Sequence, residues 1–271
     1  MARAAARERH AADAVEEAAP SEAVVPVKVR AARPRALPAE RVAILTDVHG
    51  NLPALEAVLA EVDRLGIAAI YCCGDIVGYG PWPNETGELL RARGIPSLLG
   101  NVDADALSFP QDRRRLKKHR HPDKYRSLQF TAGVLSEASR RFLEELPARL
   151  EVEIAGRKIL LVHGSPEGNR DSVRPDVTSE VLAAWLDQAQ AAAIVCGHTH
   201  LPFVRSVDGR LFVNAGTAGR PSDGDPRVSF AVLTVGPKLS AEILSARSPL
   251  DRQAPASPSA SSTVPLRVAK L

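Results

Sequence analysis

A pair of mixed β-sheets flanked by helices, an α/β architecture, is what this sequence predicts, and three observations predict it. Short apolar runs alternate with helical stretches from residue 41 onward, the pattern of α/β folds. Later in the chain PFVRSV, RLFVNA, RVSFAVLTV and KLSAEIL are joined by short turns such as Asp208-Gly209 and Gly236-Pro237, which read as antiparallel hairpins. Polar residues able to bind ligands recur directly behind the apolar runs, where the carboxyl ends of strands in an open α/β sheet line a crevice.

In chain order, RVAILTD at 41–47 is the first strand, and LPALEAVLAEVDRLG at 52–66 the helix behind it. Further strands are AAIYCC at 68–73, PSLLG at 96–100, KILLVHG at 158–164 and AAAIVCG at 191–197, with helices near 84–93, 127–146 and 178–188. The basic run from Arg113 to His121 reads as a solvated charged loop, the alternative being a loop that covers one edge of the crevice and guides an anionic substrate. Residues 1–40, rich in Ala, Arg, Glu and Pro, and residues 247–271, rich in Pro and Ser, read as flexible tails around a domain at 41–246.

The 271 residues fit one sizeable domain plus tails. A net charge of +3 gives no reason to expect nucleic acid as a partner without a localised patch. No run approaches the roughly 18 apolar residues that span a bilayer, and the opening MARAAARERH builds no secretory apolar region. Adjacent Cys72 and Cys73 would face opposite sides of a strand, so a disulfide framework is not expected and a reducing cytoplasm fits. Nothing in the sequence fixes the oligomeric state.

Asp47 and His49 follow VAILT, Asp75 follows IYCCG, Asn101 follows SLLG, His163 follows KILLV, and His198 and His200 follow AIVCG. Each piece alone also reads as ordinary structure. Asp-x-His at a strand end suits a helix cap; Gly74-Asp75 and Gly100-Asn101 suit turns; a lone His163 suits a hydrogen-bonded strand end. Two imidazoles two residues apart behind a buried strand, in Gly197-His198-Thr199-His200, are harder to explain by packing. Imidazoles, carboxylates and an amide oxygen suit Mn, Fe, Zn or Ni. Seven ligands exceed one mononuclear site, whereas two ions about 3.5 to 4 Å apart clamp both the attacking and the leaving oxygen of a phosphoester. Asp75, central in the ligand order, is the natural bridge.

Asp47-Val48-His49, Gly74-Asp75, Gly100-Asn101-Val102-Asp103, Val162-His163-Gly164 and Gly197-His198-Thr199-His200 resemble the five blocks of calcineurin-like metallophosphoesterases over roughly residues 41–246. GDIVGYGPWPNE at 74–85 and NAGTAGRPSDGDPR at 214–227 resemble the small bacterial phosphodiesterase-like branch in particular. The resemblance implies a four-layer αββα sandwich and two divalent ions, manganese foremost. One ion would be held by Asp47, His49, Asp75 and His200, and the other by Asp75, Asn101, His163 and His198. It also implies that Asp75, Asn101 and His198 carry catalysis, that Asp103 orients a neighbouring ligand, and that a metal-bound hydroxide attacks a small phosphoester. The sequence departs from many relatives at Val102, where they carry a His beside the scissile bond. The alternatives are a phosphomonoesterase or protein phosphatase, or a binding scaffold of the same fold that has lost catalysis, as in a retromer subunit. Tyr79, Trp82 and Asn84 could wall a nucleoside or aryl group, or simply pack; Asn214, Gly216 and Gly219 suit either a close backbone approach to the site or ordinary turns.

Overall fold

The computed structural model describes residues 39–249; the predicted tails, apart from their innermost residues, lie outside them. Nine strands and six helices follow one another among these residues as β1 (Glu40–Leu45), α1 (Leu52–Arg64), β2 (Ala69–Cys72), α2 (Pro83–Ala92), α3 (Asn101–His119), α4 (Pro122–Val134), α5 (Glu137–Glu144), β3 (Arg149–Ile154), β4 (Arg157–Val162), α6 (Ser179–Ala189), β5 (Ala193–Cys196), β6 (Phe203–Val207), β7 (Arg210–Asn214), β8 (Val228–Val235) and β9 (Leu239–Ala246).

Two mixed sheets result, with strand orders β2-β1-β8-β9 and β3-β4-β5-β7-β6. β1 and β2 run parallel, as do β4, β5 and β7, while the hairpin partners are antiparallel. The apolar runs are continuous because both faces of these strands are buried. In β1, Val42 and Ile44 enter the layer between the sheets, while Ala43 and Leu45 pack under the helices that include α1. In β4, Ile159 and Leu161 join the same inter-sheet layer, and Leu160 and Val162 meet α6. Alternation on two strands thus builds three apolar layers, and with them the four-layer αββα sandwich. The β6–β7 turn uses Asp208 and Gly209 at φ 50° and 74°, the left-handed pair that suits a tight hairpin.

The structure corrects the sequence reading in four places. The basic run is not a loop: Arg113 to His119 form the last turns of α3, and Lys117, Lys118 and His119 sit where cations favour the helix dipole. PSLLG makes only an isolated bridge, Ser97 to Cys72, instead of a strand. The helix expected over 127–146 is two helices broken at Leu135, with Ser136 capping the second through its hydroxyl. RLEVEI, unassigned from sequence, is edge strand β3, pairing antiparallel with β4. No helix among the described residues is long and apolar enough to cross a membrane.

Candidate metal centre

The carboxyl ends of β1, β2, β4 and β5 meet at one edge, and backbone hydrogen bonds tie the loops that leave them. The amides of Asp47 and His49 donate to the carbonyls of Gly74 and Asp75, each at 2.9 Å, and the Gly197 amide donates to the His163 carbonyl at 2.9 Å. Five of the seven predicted ligands occupy left-handed backbone at these corners: Asp47, His49 and Asp75 at φ 53°, His198 at 67° and His200 at 59°. Asn101 instead opens α3, one residue after the N-cap Gly100, so neither a turn nor positive φ describes it.

The structure gathers all seven side chains. Asp47, His49 and His200 form one triad and Asp75, His163 and His198 another, each with one ligand-type atom per residue lying within 4.8 Å of the others. Asn101 joins the second, its Oδ1 at 3.1 Å from His163 Nε2. The His49 and His200 Nε2 atoms are 3.0 Å apart, and His200 Nε2 is 3.2 Å from Asp47 Oδ1. Asp75 Oδ2 lies 3.4 Å from His163 Nε2 and 3.9 Å from His49 Nε2, facing both triads.

The tautomers follow from the backbone. His163 Nδ1 lies 2.8 Å from the Cys73 carbonyl and His200 Nδ1 2.7 Å from the Arg220 carbonyl. A carbonyl only accepts, so each Nδ1 carries the hydrogen and each Nε2 turns a lone pair toward the carboxylates. Lone pairs this close repel unless a cation or a proton sits among them, and the donor set therefore fits divalent ions. Electrostatics agree. Burial opposes ionisation of Asp47, but the His200 hydrogen bond and the fields of His163 and His200 outweigh it and hold the carboxyl below its usual range. Burial likewise opposes ionisation of Asp75, and His163 and His49 outweigh it. Burial lowers His49 to about 4, despite Asp75 and Asp47, and lowers His198 with help from the His163 field. Burial also works against protonation of His163 and His200, but Asp75 raises the first and the Asp47 hydrogen bond raises the second. The same negative field that draws protons there draws a metal cation.

Supporting contacts surround the triads, those of Thr46 and Thr217 among them missed by sequence reading. Thr46 Oγ1 donates to Asp47 Oδ2 at 2.7 Å, and the His198 amide donates to the same oxygen at 2.8 Å. Thr217 Oγ1 donates to the Asp47 carbonyl and accepts from the amides of Gly219 and Arg220. Asn214 Nδ2 donates to the Gly197 carbonyl and to Thr199 Oγ1, stitching the two-histidine turn to β7. Asp103 accepts from the amides of Val77 and Gly100, bracing the segments behind Asp75 and before Asn101. The adjacency of Thr46 to Asp47 and the polar run NAGT were the available signals. Gly197 stands where a Cβ would run into Thr46 Oγ1 and Asp47 Oδ2. Gly197→Ala is therefore expected to push the His198 turn off Asp47, lowering the melting temperature by several degrees and the metal content with it, as calorimetry and elemental analysis would read.

A cleft of about 150 Å³ opens over the triads, lined by Tyr79, Val102, Lys124, Thr199, Arg220 and Ser222 beside the ligand-type residues. The Tyr79 ring meets His49 edge-on, with ring centres 4.9 Å apart. Trp82 is not among the lining residues, and Asn84 fastens α2 to the α4–α5 turn through Val134 and Ser136. The three cysteines are buried and unpaired, as core residues.

A family model described as the calcineurin-like phosphoesterase superfamily domain matches residues 41–238. An uncharacterised protein of Methanocaldococcus jannaschii is 31% identical over 210 residues, 70% of this chain and 81% of that protein. The crystal structure of a metallophosphoesterase from Sphaerobacter thermophilus is 31% identical with a TM-score of 0.56, covering 71% of this chain and 82% of that one. A hypothetical protein from Pyrococcus horikoshii OT3, 24% identical with a TM-score of 0.69, covers 77% of this chain and 88% of that one and shares the fold.

Proposed function

The chain belongs to the calcineurin-like phosphoesterase superfamily, and from that premise we propose that it is a dinuclear-metal phosphodiesterase acting on a small nucleotide-like or aryl phosphoester. The observation that carries the reading is Asp75, whose Oδ2 faces His163 of one triad and His49 of the other. A carboxylate so placed suits a shared ligand of two ions. On this reading Asp47, His49, Asp75 and His200 hold one ion, and Asp75, Asn101, His163 and His198 hold the other. The nitrogen and oxygen donors suit manganese first, with iron, zinc or nickel as substitutes.

Two divalent ions, when bound, would supply Lewis-acid charge to the phosphoryl oxygens and lower the pKa of an attacking water. The chain does the rest by holding groups still. The Val102 amide donates to Asp75 Oδ1 at 2.7 Å, which leaves Oδ2 for the ions. His198, whose proton affinity burial and His163 lower, stands at the cleft where charge develops on the phosphoryl oxygens, and Asn101 presents its amide oxygen 3.1 Å from His163 Nε2. The Val102 side chain offers no proton to a departing oxygen, which favours diesters with good leaving groups over monoesters. Three buried free cysteines favour a reducing compartment such as the cytoplasm.

The test joins elemental analysis to one assay. Reconstituted protein is expected to carry close to two ions per chain, to lose activity to a chelator, and to hydrolyse bis(p-nitrophenyl) phosphate faster than p-nitrophenyl phosphate. Only trace metal after reconstitution would sink the reading. A preference for the monoester would point to a phosphomonoesterase, and a folded two-ion protein idle on both esters would point to a scaffold.

A further inference from the structure

We propose that Lys124 and Arg220 form an anion clamp across the cleft, and that the substrate carries a second phosphate-like group beside the phosphoryl that is cut. This rests on the phosphoesterase reading and adds the charge of the substrate to it. Both side chains line the cleft together with His49, Asp75 and His198. They come from different elements, Lys124 from the first turn of α4 and Arg220 from the loop between β7 and β8.

Among the described residues neither cation has a carboxylate partner or a side-chain hydrogen bond; the Arg220 guanidinium carbon lies 4.2 Å from the centre of the Tyr79 ring. Nearby arginines differ. Arg120 and Arg170 each meet the buried Asp105 at 2.7 Å, so their charge is committed, although one carboxylate shared by two guanidinium groups still leaves the region positive. A half-buried ammonium without a counter-ion is costly unless an anion visits it. Burial accordingly lowers the proton affinity of Lys124, with Arg120 and Arg170 adding to the effect and Asp75 and Asp105 opposing it.

Arg220 stands over the Tyr79 ring, which in turn meets His49 edge-on. Arg220 is also held in place by its backbone, whose amide donates to Thr217 Oγ1 at 2.8 Å and whose carbonyl accepts from His200 Nδ1 at 2.7 Å. The turn that orients an imidazole therefore also fixes the arginine. A guanidinium suits two phosphate oxygens at once and an ammonium acts as a point charge, so together they recognise a phosphate group rather than a neutral sugar or base.

The experiment compares two esters on the metal-loaded protein: the p-nitrophenyl ester of thymidine 5′-phosphate, with and without a phosphate on the 3′ oxygen. The wild type should favour the 3′-phosphorylated ester in kcat/KM by on the order of 10- to 100-fold, the worth of one or two charge-assisted contacts. Lys124→Gln and Arg220→Gln should each shrink that ratio by roughly tenfold, mainly through KM, with melting temperatures near the wild type. A calorimetric arm titrates inorganic pyrophosphate and orthophosphate into the same proteins, and the ratio of the two affinities should fall by about tenfold in each variant. If the wild type cleaves both esters equally well, or if neither variant alters the preference, the clamp is wrong and the hydrolase reading stands. If no ester is cleaved by protein holding two ions, the hydrolase reading fails, and an unchanged pyrophosphate-to-orthophosphate ratio overturns the clamp as well.

Discussion

Asp75→Asn protein is expected to lose kcat/KM by on the order of 10³-fold or more, beyond the 10- to 100-fold that loss of a supporting partner costs at a metal site. The structure gives the reason. Asp75 is 2% exposed, its Oδ1 is committed to the Val102 amide at 2.7 Å, and its Oδ2 faces both triads. An amide in its place keeps the shape but removes the negative charge that both sites share. It can also turn an NH₂ group, which is no ligand, toward the histidines. Metal content should therefore drop from near two ions to one or fewer. His200→Gln, which touches one triad only, should lose one ion and less activity. Near-normal turnover in Asp75→Asn would remove the bridge assignment and leave two independent sites.

Val102 governs the second large effect. Protonation of a departing oxygen by a side chain is worth typically about 10²- to 10⁴-fold, and Val102 offers no proton. The wild type should then cleave activated aryl esters far faster than alkyl esters of similar size, with kcat/KM falling steeply as leaving-group pKa rises. Val102→His should narrow the gap by accelerating the alkyl esters. The substitution keeps the backbone amide that holds Asp75, so metal content should stay near two and separate this variant from one with a damaged site. Space decides where the imidazole goes. Val102 is 2% exposed and its Cγ1 packs against the backbone of Gly78, which is closed to a larger group, while the cleft on its other side is open. A flat dependence on leaving-group pKa in the wild type would show that another group already donates the proton or that chemistry is not rate-limiting.

The gathering of the seven ligand-type residues was legible because each follows an apolar run, and parallel strands bring such positions to one edge whatever their distance in sequence. The hairpins β6–β7 and β8–β9 were legible for a similar reason, since short Gly-containing turns leave no room for a crossover. Helix α3 was not. Pro110 and a dense run of Arg and Lys hide the inward stripe of Val102, Ala106, Phe109 and Leu116, a spacing visible only once those positions are known to be buried. PSLLG has strand composition, but Ser97 pairs only once before Leu99 turns to the Pro147 carbonyl. Lys124 and Arg220 could not be paired from sequence, because no local pattern links a helix N-terminus to a loop 96 positions later. Their association exists only in the folded chain.

Glycine enters a left-handed corner freely, whereas a residue with a Cβ does so at a cost of roughly 1 to 2 kcal/mol, with Asp and His among the more tolerant. Asp47, His49, Asp75, His198 and His200 all occupy such corners. In a lineage released from binding ions, selection for thermal stability alone would favour exchanging these five for glycine or asparagine ahead of almost any core position. The site would decay from its backbone outward, long before the sandwich lost its shape. On that expectation a descendant kept only as a docking platform drifts toward glycine or asparagine at these turns, where this chain carries aspartate and histidine.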